Sequence, residues 1–308
     1  MPLTSGNFAR LLEPGLKEIF TTAVNRPEPI IDLLFGMETS NKGKEEYQAI
    51  GTSGLVPPFA GTVPYEDVHG GYMTTIRNYE FAQGITAERS LLDDDQYNVI
   101  RRRAMVLGDS FATTVEHDAA QVFINAFTDS GSNRMGASVA GADAVGLCST
   151  AHPNRPDNTG STQSNEGTLA LNIANLDTTK QNMMNWTDDK GNLLGVIPDL
   201  LLVPAELERT ATQIVSERAI YEPGSAQFDV NMFAGRIKPV IWNRLSDANA
   251  WFLISSVMMK KFLIFQWRIR PEFATQDDFD GLTAKFRGYM RYGMGWLDWR
   301  FIYGQNPS

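Results

Sequence analysis

Between residues 93 and 128, apolar side chains recur three and four positions apart: Ile100, Ala104, Leu107, Phe111, Val115, Ala119, Val122, Phe123 and Ala126. That spacing places them on one face of an α-helix. Asp93, Asp94 and Asp95 precede the stripe, where a capping side chain and negative charge favour a helix N-terminus. Arg101, Arg102, Asp109, Glu116 and Asp118 fall on the opposite side, and Gly108-Asp109-Ser110 is the only weak point. At 1.5 Å per residue the predicted helix is about 50 Å long, enough to brace something broad and flat. A bundle would need several helices of comparable length, which the rest of the sequence does not offer.

Ahead of that helix the pattern changes twice. In residues 3–40, Phe8, Leu11, Leu12, Leu16, Ile19, Phe20 and Val24 are spaced roughly as in a helix, but Pro14-Gly15 interrupts and Arg26-Pro27-Glu28-Pro29 forces an extended passage. Two readings stay open: an arm that needs another surface to lie on, or an N-terminal helix packed on its own core. Residues 41–92 read as a two-stranded excursion, with strands over residues 45–50 and 72–81. Between the strands lies GTSGLVPPFAGTVPYEDVHGG, rich in glycine and proline. A loop of that length inside a compact domain is commonly functional. Leu55, Val56, Pro57, Pro58 and Phe59 sit near its tip, an apolar group that is costly in water unless something covers it.

After residue 128 the chain is loop-rich to residue 170. A helix is predicted over residues 171–186, a turn at Asp188-Asp189-Lys190-Gly191-Asn192, a buried strand at 199–203 and a second helix from Pro204 to about Glu217. Residues 236–303 are mostly strands: 236–242, 251–255, 261–269, 285–292 and 299–303. The apolar run WFLISSVMMKKFLIFQW (251–267) reads as two buried strands meeting at a basic turn. Lys260-Lys261 also breaks it as a membrane span. The fold class is α+β with one dominant helix, in one large domain or two intertwined ones. No repeat, low-complexity tract or secretory signal is visible, and a soluble, intracellular protein is expected.

Composition removes several functions. Lys and Arg number 27 against 36 Asp and Glu, a net charge of −9, so no basic field drives DNA binding. A single cysteine excludes an internal disulfide framework, and three histidines leave little for metal or triad chemistry. Gly108-Asp109-Ser110-Phe111 resembles the nucleophile block of GDS-type hydrolases, but no histidine follows His152 to serve as base. His117-Asp118 resembles one element of an HD metal site without its other ligands, and a solvated helix face is the expected role. Cys148 and His152 are close enough for a thiolate pair, although a structural loop is the simpler reading. The acidic turns at Asp188-Asp189 and at Asp277 to Gly281 lack the alternating spacing of a calcium loop. No phosphate-binding glycine motif occurs. The arginine–aromatic segments 286–293 and 299–304 suggest stacking on single-stranded nucleic acid or cation–π packing at subunit contacts, and the second is preferred. No catalytic, cofactor or metal residue is assigned.

The order of these segments resembles the major capsid proteins of tailed bacteriophages, of the Hong Kong-phage-type fold, nearest the Mu-like major head subunits. The resemblance runs through LTSGNFARLLEPGLKEIF, the glycine- and proline-rich loop, the helix after SLLDDDQY, LCSTAHPN, the long block from SNEGTLALNIANL to LLLVPAELERTA, and FRGYMRYGMGWLDWRFIYGQNP. DDKG-x-x-x-G-x-x-P-x-x-LLVP is its most specific part. It implies an N-terminal arm (1–40), an extended loop lying over a neighbour (41–92), a peripheral domain (93–167 and 268–308) with the spine helix at 93–128, and an axial domain (168–267) with a central sheet flanked by two helices.

By the same resemblance the chain assembles with copies of itself into hexamers and pentamers of an icosahedral head around double-stranded DNA. Separate scaffolding and portal proteins, and a cement protein, would be partners; packaged DNA would be contacted non-specifically, with no membrane involved. The location would be the virion, assembled in the host cytoplasm. Some members begin with a scaffolding region that is removed. Here the arm starts at residue 3, so a scaffold would come from another chain or the sequence would be the processed form, and Met1 favours the former. Lys42 and Lys44 lie near the loop base, where some relatives crosslink, but no partner residue is identifiable. The alternatives are a nanocompartment shell on the same fold, a ring-forming tail or adaptor component, and, from a different class, a serine hydrolase using Ser110.

Overall fold

The computed structural model describes residues 8–25, 30–59, 61–63, 65, 70–88, 97–157, 161–216, 219–221, 228–278 and 283–307. Its helices are α1 (Phe8–Val24), α2 (Ile30–Leu34), α3 (Tyr97–Ile124), α4 (Ile173–Met184), α5 (Glu208–Ser216) and α6 (Ser256–Phe262). The strands are β1 (Gly36–Thr39), β2 (Lys44–Ile50), β3 (Gly70–Arg77), β4 (Tyr79–Glu88), β5 (His152–Pro153), β6 (Thr162–Gln163), β7 (Glu166–Gly167), β8 (Leu200–Val203), β9 (Ala219–Tyr221), β10 (Phe228–Val230), β11 (Lys238–Ile241), β12 (Trp251–Ile254), β13 (Leu263–Asp278), β14 (Thr283–Trp296) and β15 (Ile302–Gln305).

Helix α3 is the long helix of the sequence pattern. Its 28 residues span about 42 Å. All nine apolar positions of the predicted stripe are buried. The acidic cap at Asp93–Asp95 lies outside the described residues. Helix α1 packs along the first half of α3 and on β13, with Phe20 edge-on to Phe111 (5.5 Å) and 5.3 Å from Phe273. So this segment finds its cover within its own chain. Pro14 lies inside α1 instead of ending it. Gly108, the apparent weak point of α3, is where α1 comes nearest: a Cβ there would sit 2.7 Å from the Ala23 methyl and the Phe20 carbonyl.

Two sheets flank this helix. The first runs β1-β13-β14-β4, with β1 parallel and the others antiparallel. It buries Phe273, Ala284, Phe286, Met290 and Tyr292 in the same core as the stripe of α3. The second runs β11-β8-β12-β15-β7. Residues of β8, β12 and β15 are buried on both faces, which explains why these strands read as continuous apolar runs without alternation. Leu200, Leu202, Phe252, Ile254 and Ile302 face the core of α3. Leu201, Val203, Trp251, Leu253 and Tyr303 face a second core with Leu176 and Met183 of α4 and Ala211, Ile214 and Val215 of α5.

Two local expectations are corrected. The run 251–267 holds a helix, α6, between its two strands, because Asp199 accepts from the Ser256 backbone N–H (2.7 Å) and hydroxyl at its first turn. The strand predicted over 72–81 divides at Asn78, whose amide donates to Ser40 Oγ (2.9 Å) and the Lys42 carbonyl (2.8 Å). The last strand, β15, pairs with β12 in the five-stranded sheet. Among the described residues no helix is long and apolar enough to cross a membrane.

Candidate assembly surfaces

Strands β2 and β3 pair antiparallel from Lys44↔Arg77 to Ile50↔Gly70 and carry the glycine- and proline-rich loop beyond them. Their base is fixed to the first sheet. Gln266 of β13 donates to the Ile76 carbonyl (3.1 Å) and to Asn78 Oδ1 (3.0 Å), and Asn78 holds the turn at Ser40–Gly43. Tyr47 donates to Glu38 (2.7 Å); burial and that carboxylate push its hydroxyl well above the ordinary tyrosine range, so it stays a donor. Further out, the hairpin leans on the body. Tyr72 donates to the Arg155 carbonyl (2.9 Å), and the Thr52 N–H donates to Asp189 (3.0 Å), which the Thr52 hydroxyl also reaches. A cleft of about 660 Å³ remains between them.

Beyond Gly54 the described residues of the loop are exposed. Leu55 is 83% exposed, Val56 92% and Phe59 74%, and Pro57 and Pro58 are exposed beside them. The five residues singled out in the sequence therefore lie together, apolar and open to water. Tyr65, 95% exposed, is likewise open to water. A stalk rigidly bonded at its base that carries an uncovered apolar tip is costly for a free monomer.

Asp189 belongs to the turn predicted at residues 188–192, closed by the bridge Thr187↔Leu193. Burial disfavours charge on Asp188, but bonds from the Asn192 amide and from the Asn192 and Lys190 N–H groups outweigh it and hold the carboxyl below its usual range. A carboxyl whose native value is depressed stabilises the fold above its unfolded value and ceases to as the pH falls. Acidification below about pH 4 should therefore speed hydrogen exchange at Lys190 and Asn192 and release the hairpin contact at Thr52. Unchanged protection of the Lys190 and Asn192 amides, corrected for intrinsic exchange, as the pH falls from about 5 to about 2 would refute it.

The candidate chemistry resolves into structure. Ser110 lies mid-helix, its carbonyl taken by Thr114 (2.8 Å), and among the described residues no base is hydrogen-bonded to its hydroxyl. Asp118 departs from the expected solvated face: it is 1% exposed and accepts from Arg134 Nε (3.0 Å), Arg134 Nη2 (2.7 Å) and the Tyr292 hydroxyl (2.7 Å). The loop after α3 and strand β14 cover that side of the helix, which a periodicity argument misses. The arginine–aromatic segments pack inside the subunit: Tyr292 stacks on Phe81 (4.6 Å) and Arg300 lies over Trp299 (4.8 Å). The acidic turn beyond Asp278 falls outside the described residues. Among the described residues no cluster of three metal-ligating side chains occurs.

Cys148 and His152 do not form a nucleophilic pair. His152 is fully buried, with Nδ1 2.6 Å from Asp143 and Nε2 3.0 Å from Asn165, so both ring nitrogens are engaged elsewhere. Burial, reinforced by Glu166, drives the Cys148 thiol well above its ordinary value. A thiol reagent should therefore leave Cys148 unmodified in the native protein and titrate one thiol after denaturation; rapid native labelling would contradict this burial.

A family model described as phage capsid protein matches residues 72–304. No curated protein matches the chain. Solved structures share its fold. The capsid of bacteriophage JBD30 aligns at 12% identity over 79% of this chain and 100% of that one, with a TM-score of 0.58. The capsid of cyanophage P-SCSP1u aligns at 12% identity over 92% and 89%, with a TM-score of 0.57. A virus-like particle from Pyrococcus furiosus aligns at 9% identity over 95% and 98%, with a TM-score of 0.54.

Proposed function

The chain belongs to the phage capsid protein family, and from that premise we propose that it is the major head subunit, on the Mu-like branch, closing as hexamers and pentamers into an icosahedral shell around a double-stranded DNA genome. The exposed apolar tip at Leu55–Phe59 carries this reading. Burying a Leu, Val or Phe side chain gains about 1.5–3 kcal/mol, a gain that a neighbouring copy supplies and the chain's own body does not. In this reading β2, β3 and their loop are the extended loop, α3 and the first sheet form the peripheral domain, and the five-stranded sheet with α4 and α5 forms most of the axial domain. A scaffold supplied by another chain, a portal and a cement protein complete the head, which assembles in the host cytoplasm. The work of the protein is burial between copies and involves no bond-breaking step.

Light scattering and electron microscopy of the purified protein test this. Megadalton shells or capsomer-sized rings support it. A 34.2 kDa monomer at every concentration overturns it. The content of the shells separates the rival on the same fold: nucleic acid marks a head, an enclosed enzyme marks a nanocompartment.

A further inference from the structure

The buried site around His152 lies where the chain's two cores meet. Asn165 is its hub. The Asn165 amide nitrogen donates to the Leu147 carbonyl (2.8 Å) and the Ile302 carbonyl (3.1 Å), while its oxygen accepts from the Ser149 N–H (2.8 Å). Those three backbone groups fix which end of the amide is which. The atom facing His152 Nε2 at 3.0 Å is therefore an acceptor, and Nε2 must carry a hydrogen. On the other side of the ring, Nδ1 faces an Asp143 carboxylate oxygen at 2.6 Å. With no proton between them, two lone pairs would meet there. The ring also stacks on Trp299 at 4.4 Å.

We propose that His152 is a proton-held clasp: a buried imidazolium that donates from both nitrogens, to Asp143 and to Asn165, and ties the loop after α3 to β7 and β15. The elements around it favour the cation. Glu166 on β7 interacts with it electrostatically, and that contact opposes the upward push of burial and Asp129 on the Glu166 carboxyl. Arg300 opposes the cation but lies over the Trp299 ring and is paired with Asp298 at 3.0 Å. Cys148, Tyr72 and Tyr303 are further titratable groups around the site, and burial holds all three neutral. Without that proton the Asp143 contact has no donor, so the joint between the cores depends on it. The inference does not rest on assembly and holds in a free subunit or a shell.

The variant Asp143→Asn removes the need for the proton. The side-chain amide introduced by that substitution donates to a bare Nδ1 while Nε2–H still reaches Asn165, so a neutral ring is satisfied on both sides. Protein labelled with ¹⁵N-histidine gives ring signals from only three residues, and His152→Gln identifies the one that matters. The expected result at pH 7.5 is a His152 ring protonated on both nitrogens in the wild type, and on Nε2 alone in Asp143→Asn. A wild-type His152 ring with a bare nitrogen at pH 7.5, or a ring in Asp143→Asn that still carries both protons, overturns the proposal.

Discussion

Replacing Leu55, Val56 and Phe59 together by serine should leave a folded, soluble chain that no longer closes into shells. The three side chains touch no core in the subunit, so the monomer loses nothing by their removal; exposed apolar surface is in fact reduced. In the assembly each copy forfeits about 1.5–3 kcal/mol for each large side chain, some 5 kcal/mol or more in all. Since about 1.4 kcal/mol is a tenfold change in an equilibrium constant, each contact weakens by a factor of thousands. Circular dichroism should match the wild type, and sedimentation should show free subunits or small oligomers. Normal shells from this variant would remove the tip from the account of assembly.

Phe123→Ala should be the most damaging single truncation of the folded subunit. Phe123 is 1% exposed near the end of α3, where α2 and the second sheet converge on it. Its ring meets Phe35 at 6.2 Å, Trp242 at 5.9 Å and Phe252 at 5.8 Å, each edge-to-face. Removing it opens a cavity among buried rings, with Phe252 in β12 and Phe35 and Trp242 next to the ends of β1 and β11, so the walls cannot readily collapse inward. The expected cost is about 3–5 kcal/mol, a large share of a stability of about 5–15 kcal/mol. Denaturant unfolding should be measured in the serine-tip variant, so that subunit unfolding is not coupled to disassembly. A loss below about 1 kcal/mol would mean that α3 does not tie the two sheets together.

What the sequence disclosed follows from which contacts are local. The stripe of α3 was legible because one helix face buried along its whole length imposes a 3.6-residue period that little else produces. The apolar tip was legible because five such residues between glycines and prolines have no regular element to hide in. Asp118 was not legible. Its partners Arg134 and Tyr292 are 16 and 174 residues away, and only the assembled fold turns a polar helix position into a buried ion pair. Helix α6 was hidden for a similar reason: its first turn is capped by Asp199, 57 residues earlier, while its own residues continue an apolar run. The break at Asn78 likewise rests on Ser40, Lys42 and Gln266, none of them a sequence neighbour. The site around His152 was half visible. Cys148 and His152 could be seen to be close, but Asp143 and Asn165, which take both ring nitrogens, carried no signal of pairing.

The hairpin tip as the surface that a second copy completes is tested most directly by an electron cryo-microscopy map of particles assembled from the purified chain. The account predicts density in which Leu55, Val56 and Phe59 of each copy are covered by an adjacent subunit. Closed particles in which those side chains point into solvent would contradict it.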